Sequence, residues 1–134
     1  MIRPATRADA DAVLALWARA RSAEAAIPDD HAAVAQAVEQ DALLVAEVGG
    51  EIAGTLVAAW DGWRGNMYRL AVAPEHRRRG VATQLVRAGE ARLRGRGARR
   101  ITALVPRGDA IAVALWSAVG YADDAGIARF VKNL

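Results

Sequence analysis

Cysteine is absent from this chain, which excludes disulfides, thiol nucleophiles and thiolate metal sites. His31 and His76 are its only histidines, too few for a zinc centre, so no metal is expected. Aromatic residues make up 5% of the chain, with a single phenylalanine. The core must therefore come from Leu, Val, Ile and Trp set among many alanines. No apolar run approaches a membrane span, and Arg3 and Arg7 flank no hydrophobic leader. A soluble cytoplasmic protein with no membrane partner is the expectation.

What is present suffices for one domain, residues 1–134, with 54% hydrophobic content for a packed core. The net charge of +3 hides a division: residues 1–60 carry nine acids and four arginines, whereas residues 61–134 carry six acids and fourteen bases. Arg77, Arg78, Arg79, Arg87, Arg92, Arg94, Arg96, Arg99 and Arg100 crowd one short span, a field suited to a polyanion such as a phosphorylated ligand or nucleic acid. A nucleic-acid surface would need exposed aromatics interleaved with those arginines, and residues 77–100 contain none. Nucleic acid is accordingly not expected as a partner, and Arg92 to Arg100 read as a solvated helix face. The acidic first half suits a cationic acceptor.

Periodicity sets the element order. Ile2 to Ala5 reads as a strand, and Thr6 or Ala8-Asp9 caps a helix carrying Val13, Leu14, Leu16 and Trp17 at helical spacing. Ile27-Pro28-Asp29-Asp30 breaks it, with Pro28 suited to the first turn of a second helix reaching about Gln40. Leu43 to Val48 and Glu51 to Trp60 form a hairpin about Gly49-Gly50, and a turn over Asp61 to Gly65 leads into a strand from Met67 to Val72. A long helix from about Arg79 to Gly95, a strand around Ile101 to Val105 and a helix capped by Asp109 follow. A last antiparallel pair is expected near Tyr121 and over Ala128 to Val131.

Leu70-Ala71-Val72-Ala73-Pro74-Glu75-His76-Arg77-Arg78-Arg79-Gly80-Val81-Ala82-Thr83 is the most informative stretch. It is a strand ending in proline, a basic turn with one glycine and a helix N-terminus, a place where converging N–H groups and the helix dipole hold phosphate. Arg92-x-x-Gly95-x-Gly97 fits the same spacing but sits at a helix end, where its glycines act as stops. Downstream, Asp109-x-x-Ala112-x-x-Leu115-Trp116-x-x-x-Gly120-Tyr121 reads as a capped apolar helix closed by glycine.

These two segments, in this order and separated by the β-branched run after Arg100, resemble the Arg/Gln-x-x-Gly-x-Gly/Ala and Asn-x-x-Ala-x-x-Leu-Tyr-x-x-x-Gly-Phe motifs of GCN5-related N-acetyltransferases (GNATs). The resemblance implies an α/β acyl-CoA N-acyltransferase fold: a mixed, mostly antiparallel sheet with splayed middle strands and helices on both faces. It implies acetyl-CoA as cosubstrate and transfer to a primary amine of a small molecule or peptide by direct attack. It places the pantetheine arm on Leu70, Ala71 and Val72, the pyrophosphate on Arg77, Arg78, Arg79, Gly80, Val81, Ala82 and Thr83, and further cofactor contacts on Asp109, Ala112 and Trp116. Asp29, Asp30 and His31 fall where relatives cover the acceptor, and Asp29 and Asp30 are expected to bind a cationic substrate or to cap the second helix. Trp60 and Trp63 either pack in the core or line the acceptor pocket or a dimer contact. Homodimers are frequent in relatives.

Two departures matter. The family's tyrosine, often the general acid, is Trp116 here, whose indole N–H cannot protonate a thiolate; Tyr121 and Tyr68 are the substitutes. Asp109 stands in place of Asn. The glutamate base of relatives that acetylate histone lysines corresponds to Asn66, which cannot serve. A non-catalytic acyl-CoA sensor is the alternative that these departures favour.

Overall fold

The computed structural model describes residues 1–20 and 29–134; Ile27 and Pro28, expected to separate the first two helices, lie outside the described residues. The chain runs β1 (Ile2–Pro4), α1 (Ala10–Ala20), α2 (His31–Glu39), β2 (Leu43–Val48), β3 (Glu51–Trp60), β4 (Gly65–Val72), α3 (Val81–Gly95), β5 (Ile101–Ala103) and α4 (Ala110–Ala118). Single 3-10 turns at Arg7–Asp9 and Pro74–His76 precede α1 and α3.

The sheet follows chain order, β1-β2-β3-β4-β5, antiparallel throughout except for the parallel β4–β5 pair. Leu43, Leu44, Val45 and Ala46 of β2 are all buried because both faces of the sheet are covered. Period-two alternation sends Leu43 and Val45 to a cluster with Val13, Trp17 and Val34 of α1 and α2. Leu44 and Ala46 face the other way, toward Val81, Leu85, Val86 and Leu93 of α3 and Trp116 of α4. Gly89 lets α3 lie close to the sheet: a Cβ there would stand 2.8 Å from Met67 Cε and 2.9 Å from Leu56 Cδ2.

Two irregularities shape the middle of the sheet. Thr55 pairs with Ala71 but Val57 with Tyr68, so Leu56 faces two residues of β4, and Arg69 takes the bulge at φ +56°. On the other side of β4, pairing with β5 stops at Met67–Ala103, with a last bond from Leu104 N–H to the Met67 carbonyl at 3.2 Å. Beyond that point no hydrogen bond joins the strands among the described residues, so the ladder parts into a slot between Tyr68–Val72 and the chain after Leu104. β5, expected to reach Val105, ends early at this divergence, and Pro106 has no N–H with which to continue a ladder.

The expected final strand pair is absent: no strand follows α4 among the described residues. Gly120 closes α4 at φ +99°, and Tyr121 then turns inward onto Trp116 instead of starting a strand. Arg100–Asp124 (3.4 Å) and Arg107–Asp123 (2.5 Å) are the ion pairs that join the following segment to the chain around β5 among the described residues.

Candidate active site

The chain after β4 forms a concave run of main-chain donors. Arg78 (φ +62°) and Gly80 (φ +79°) are both left-handed, and Gly80 is the N-cap of α3. Alternating left-handed residues turn successive N–H groups to one side, and the helix dipole adds positive charge there. Among the described residues, no acceptor engages the N–H groups of Arg78, Arg79, Gly80, Val81, Ala82 or Thr83. A Cβ on Gly80 would meet nothing within 4 Å, so the cradle is open space. Arg77, Arg78 and Arg79 are exposed around it, and Arg77 Nε reaches back to the Val72 carbonyl at 3.4 Å.

Glu75, at the start of this loop, is engaged by Arg19 of α1 at 2.6 Å, and that guanidinium holds its carboxyl down to about 2. The ion pair ties α1 to the nest, which is a structural task. Among the described residues, the buried Nδ1 of His76 has no hydrogen-bond partner.

The slot meets this nest end-on. Ala73 N–H bonds to the Ala53 carbonyl of β3 at 2.8 Å, so strand alternation turns the N–H groups of Val72 and Leu70 away from β3, into the slot. Ala71 faces the α1–α2 layer, and Leu70 and Val72 pack against the α3 side. Main-chain donors lining an opened strand can hold an extended amide chain as another strand would.

Arg69 is the residue that sequence reasoning missed. Its guanidinium lies 5.2 Å from the Trp17 ring and pairs with Asp29, whose side chain is only 12% exposed. Trp17 Nε1 donates to Thr55 Oγ1 at 2.9 Å, and Thr55 Oγ1 donates to the Arg69 carbonyl at 2.9 Å. This network fixes the bulge against α1 and the start of α2. A lone charge in the strand was the available signal, although it does not tell a bulge from a paired position. Asp29 therefore spends its charge on Arg69, Asp30 caps α2 by accepting from Ala33 N–H at 2.8 Å, and His31 Nε2 lies 2.7 Å from Asp11.

The tyrosines differ in freedom. Tyr121 donates to Glu90 Oε2 at 2.9 Å and stacks edge-on with Trp116 at 4.9 Å. Burial and then the Glu90 carboxylate raise its pKa, so it holds its proton tightly. Tyr68, on β4 beside the bulge, is half-buried and raised mainly by desolvation. Trp116 is buried in the α3–α4 core, and Ala112 packs against that same core. Asp109 caps α4, its Oδ1 accepting from Ala112 N–H at 3.0 Å, so the side chain is occupied by its own helix. Trp60 and Trp63 sit with Arg64, Arg96, Arg99 and Arg100 around the opposite end of β4 from the nest. Among the described residues, no three His, Cys, Asp or Glu side chains are grouped to hold a metal.

The model of the acetyltransferase (GNAT) family matches residues 10–121. This chain is a member of the GNAT family. An acetyltransferase of Photorhabdus laumondii is 39% identical over 85 residues, covering 63% of this chain and 59% of that relative. The aligned region thus spans under two thirds of that protein. Among solved structures, the aminoglycoside 6'-N-acetyltransferase AAC(6')-Ig of Acinetobacter haemolyticus superposes with a TM-score of 0.78 at 22% identity, over 100% of this chain and 99% of its own. AAC(6')-Iy bound to a CoA–acetylneamine bisubstrate analogue gives 0.79 at 21% identity, over 100% and 98%. The Escherichia coli ribosomal-protein-S18-alanine N-acetyltransferase gives 0.74 at 20%, over 90% and 76%. These likenesses establish the GNAT fold: a mixed sheet, not closed, with helices on both faces. Among the described residues of this GNAT chain, no helix is long and apolar enough to cross a membrane.

Proposed function

We propose that this protein is an N-acetyltransferase that moves the acetyl group of acetyl-CoA to a primary amine on a small molecule or peptide. The observation that carries this reading is the continuity of the slot beside Leu70 and Val72 with the unpartnered donors of Arg78 to Thr83. One end suits a diphosphate, and the other suits the amides of pantetheine. Transfer forms a bond from the amine nitrogen to the acetyl carbon and breaks the carbon–sulfur bond; the amine proton passes to solvent and the thiolate takes one. A main-chain N–H of the opened strand stabilises the oxyanion. A coenzyme thiol with a pKa near that of cysteine, roughly 8.5, leaves without strong assistance. Tyr68 is the better candidate acid, because the Tyr121 hydroxyl is committed to Glu90. The setting proposed is the cytoplasm.

Thiol release from acetyl-CoA against a panel of amines tests the reading, with calorimetry of acetyl-CoA in parallel. Turnover with at least one acceptor is expected. Tight binding without turnover on any amine would instead favour the acyl-CoA sensor, and no binding at all would remove both. Within the enzyme reading, Tyr68→Phe should lower kcat more than Tyr121→Phe.

A further inference from the structure

A cavity of about 590 Å³ opens between the β3–β4 turn and the C-terminal end of α3, lined by Trp60, Trp63, Arg64, Arg96, Arg99 and Arg100 with two glycines. Among the described residues, no carboxylate lines it. Arg96 lies 3.3 Å from Asp41 and Arg100 lies 3.4 Å from Asp124, outside the lining, while Arg99 makes no ion pair among the described residues. Trp63 is 78% exposed, yet it is not loosely held. Asp61 accepts from both Trp63 N–H and Arg64 N–H at 2.8 Å, Gly62 supplies φ +90°, and the Arg64 guanidinium sits 4.7 Å from the indole. A built turn therefore presents a large apolar ring to solvent within a cluster of cations. Packing does not require that, whereas a flat, anionic ligand does.

The linear span of arginines contains no aromatic residue; the fold supplies two from β3 and its turn. We propose that this cavity binds a phosphorylated nucleobase, stacked on Trp63 with its phosphate among Arg96, Arg99 and Arg100, as a free nucleotide or as a unit of single-stranded nucleic acid. The site is separate from the cofactor slot, because the fifteen residues of α3 put about 22 Å between Gly80 and Arg96. It does not depend on acetyl transfer.

Tryptophan fluorescence and anisotropy with a short oligouridine, with uridine monophosphate and with polyglutamate test the proposal, each with and without excess CoA. The oligouridine should bind and quench. Trp63→Ala should weaken it about 10-fold while Trp63→Phe, which keeps a stacking face, stays within about 3-fold of wild type. Arg99→Ala should reduce the slope of log affinity against log salt by roughly 0.7. Thermal melts of these surface variants should match wild type. Saturation by the monophosphate with no gain from the oligomer identifies a free nucleotide as ligand, and a gain with length identifies a strand. Equal binding of polyglutamate, displacement by CoA of an oligouridine that uridine monophosphate does not displace, an unaffected Trp63→Ala variant or no binding would each overturn it.

Discussion

Gly80 carries two demands at once: a left-handed backbone and empty space above it. Gly80→Glu puts a side chain and a negative charge into the cradle, and it also strains the backbone by about 1 kcal/mol. Acetyl-CoA binding by calorimetry should be abolished while the melting curve persists. Undiminished binding would refute the nest as a phosphate seat. Thr55 is the second decisive residue, a buried hydroxyl joining Trp17 to the bulge at Arg69. Thr55→Val strands the indole N–H and frees the bulge, so urea unfolding should show a loss of about 1–3 kcal/mol. The KM for acetyl-CoA should rise in the same variant.

The motif glycine was legible because a left-handed turn before a helix demands that residue. Arg69 was not, because nothing local distinguishes a bulged arginine from one paired across a strand. The acceptor role assigned to Asp29 assumed a free carboxylate, and only the fold shows that Arg69 takes it. For Trp116 and Asp109, packing and capping were visible as alternatives in the sequence, and both side chains are found in those roles.

Among the elements, α3 is the one whose fit to the sheet is tightest. Gly89→Val would drive methyls into Met67 and Leu56, and overpacking of this kind costs about 1–3 kcal/mol despite any gain in helix propensity. A lower urea midpoint with an unchanged slope is the expected result. The junction of β1 with α1 is held differently, by charge. Arg3 bonds Asp9 at 2.8 and 3.0 Å, which lowers the Asp9 carboxyl to about 2. An unfolded aspartate titrates near 3.9, so this contribution is present above about pH 4 and lost as pH falls toward 2. The pair is partly exposed, so its worth is about 1 kcal/mol at most. Asp9→Asn should lower stability at neutral pH and flatten the loss between pH 4 and 2 in a series of melts. Glu75 titrates in the same window and will retain part of that slope. Element order was readable as far as α4, because each periodic run had its own stop signal. The last strands were expected after the Gly120 stop, but a strand forms only when a neighbour offers unpaired backbone in register.

For the whole molecule, the surface is as informative as the core. Ile111 (77%), Ile127 (73%), Phe130 (93%) and Val131 (71%) leave α4 and the chain after it with apolar side chains in water. β5, at the sheet edge, pairs only with β4. We propose that the homodimer expected from the family resemblance forms across this face. Light scattering should give twice the chain mass, and Phe130→Glu should return the monomer; a monomeric wild type would rule this out.

The amino-acid order by itself determined the glycine turn ahead of α3 that is proposed to seat a phosphate, the helices and their caps, and two apolar faces on one sheet, because each follows from contacts within a few residues. Only the tertiary structure decided where β4 parts from β5, that Arg69 and Asp29 pair over the bulge, that the Tyr121 hydroxyl donates a hydrogen bond to Glu90, and that two tryptophans join the arginines that follow α3. Those features depend on distant segments meeting, and their energies come from geometry that no local pattern encodes.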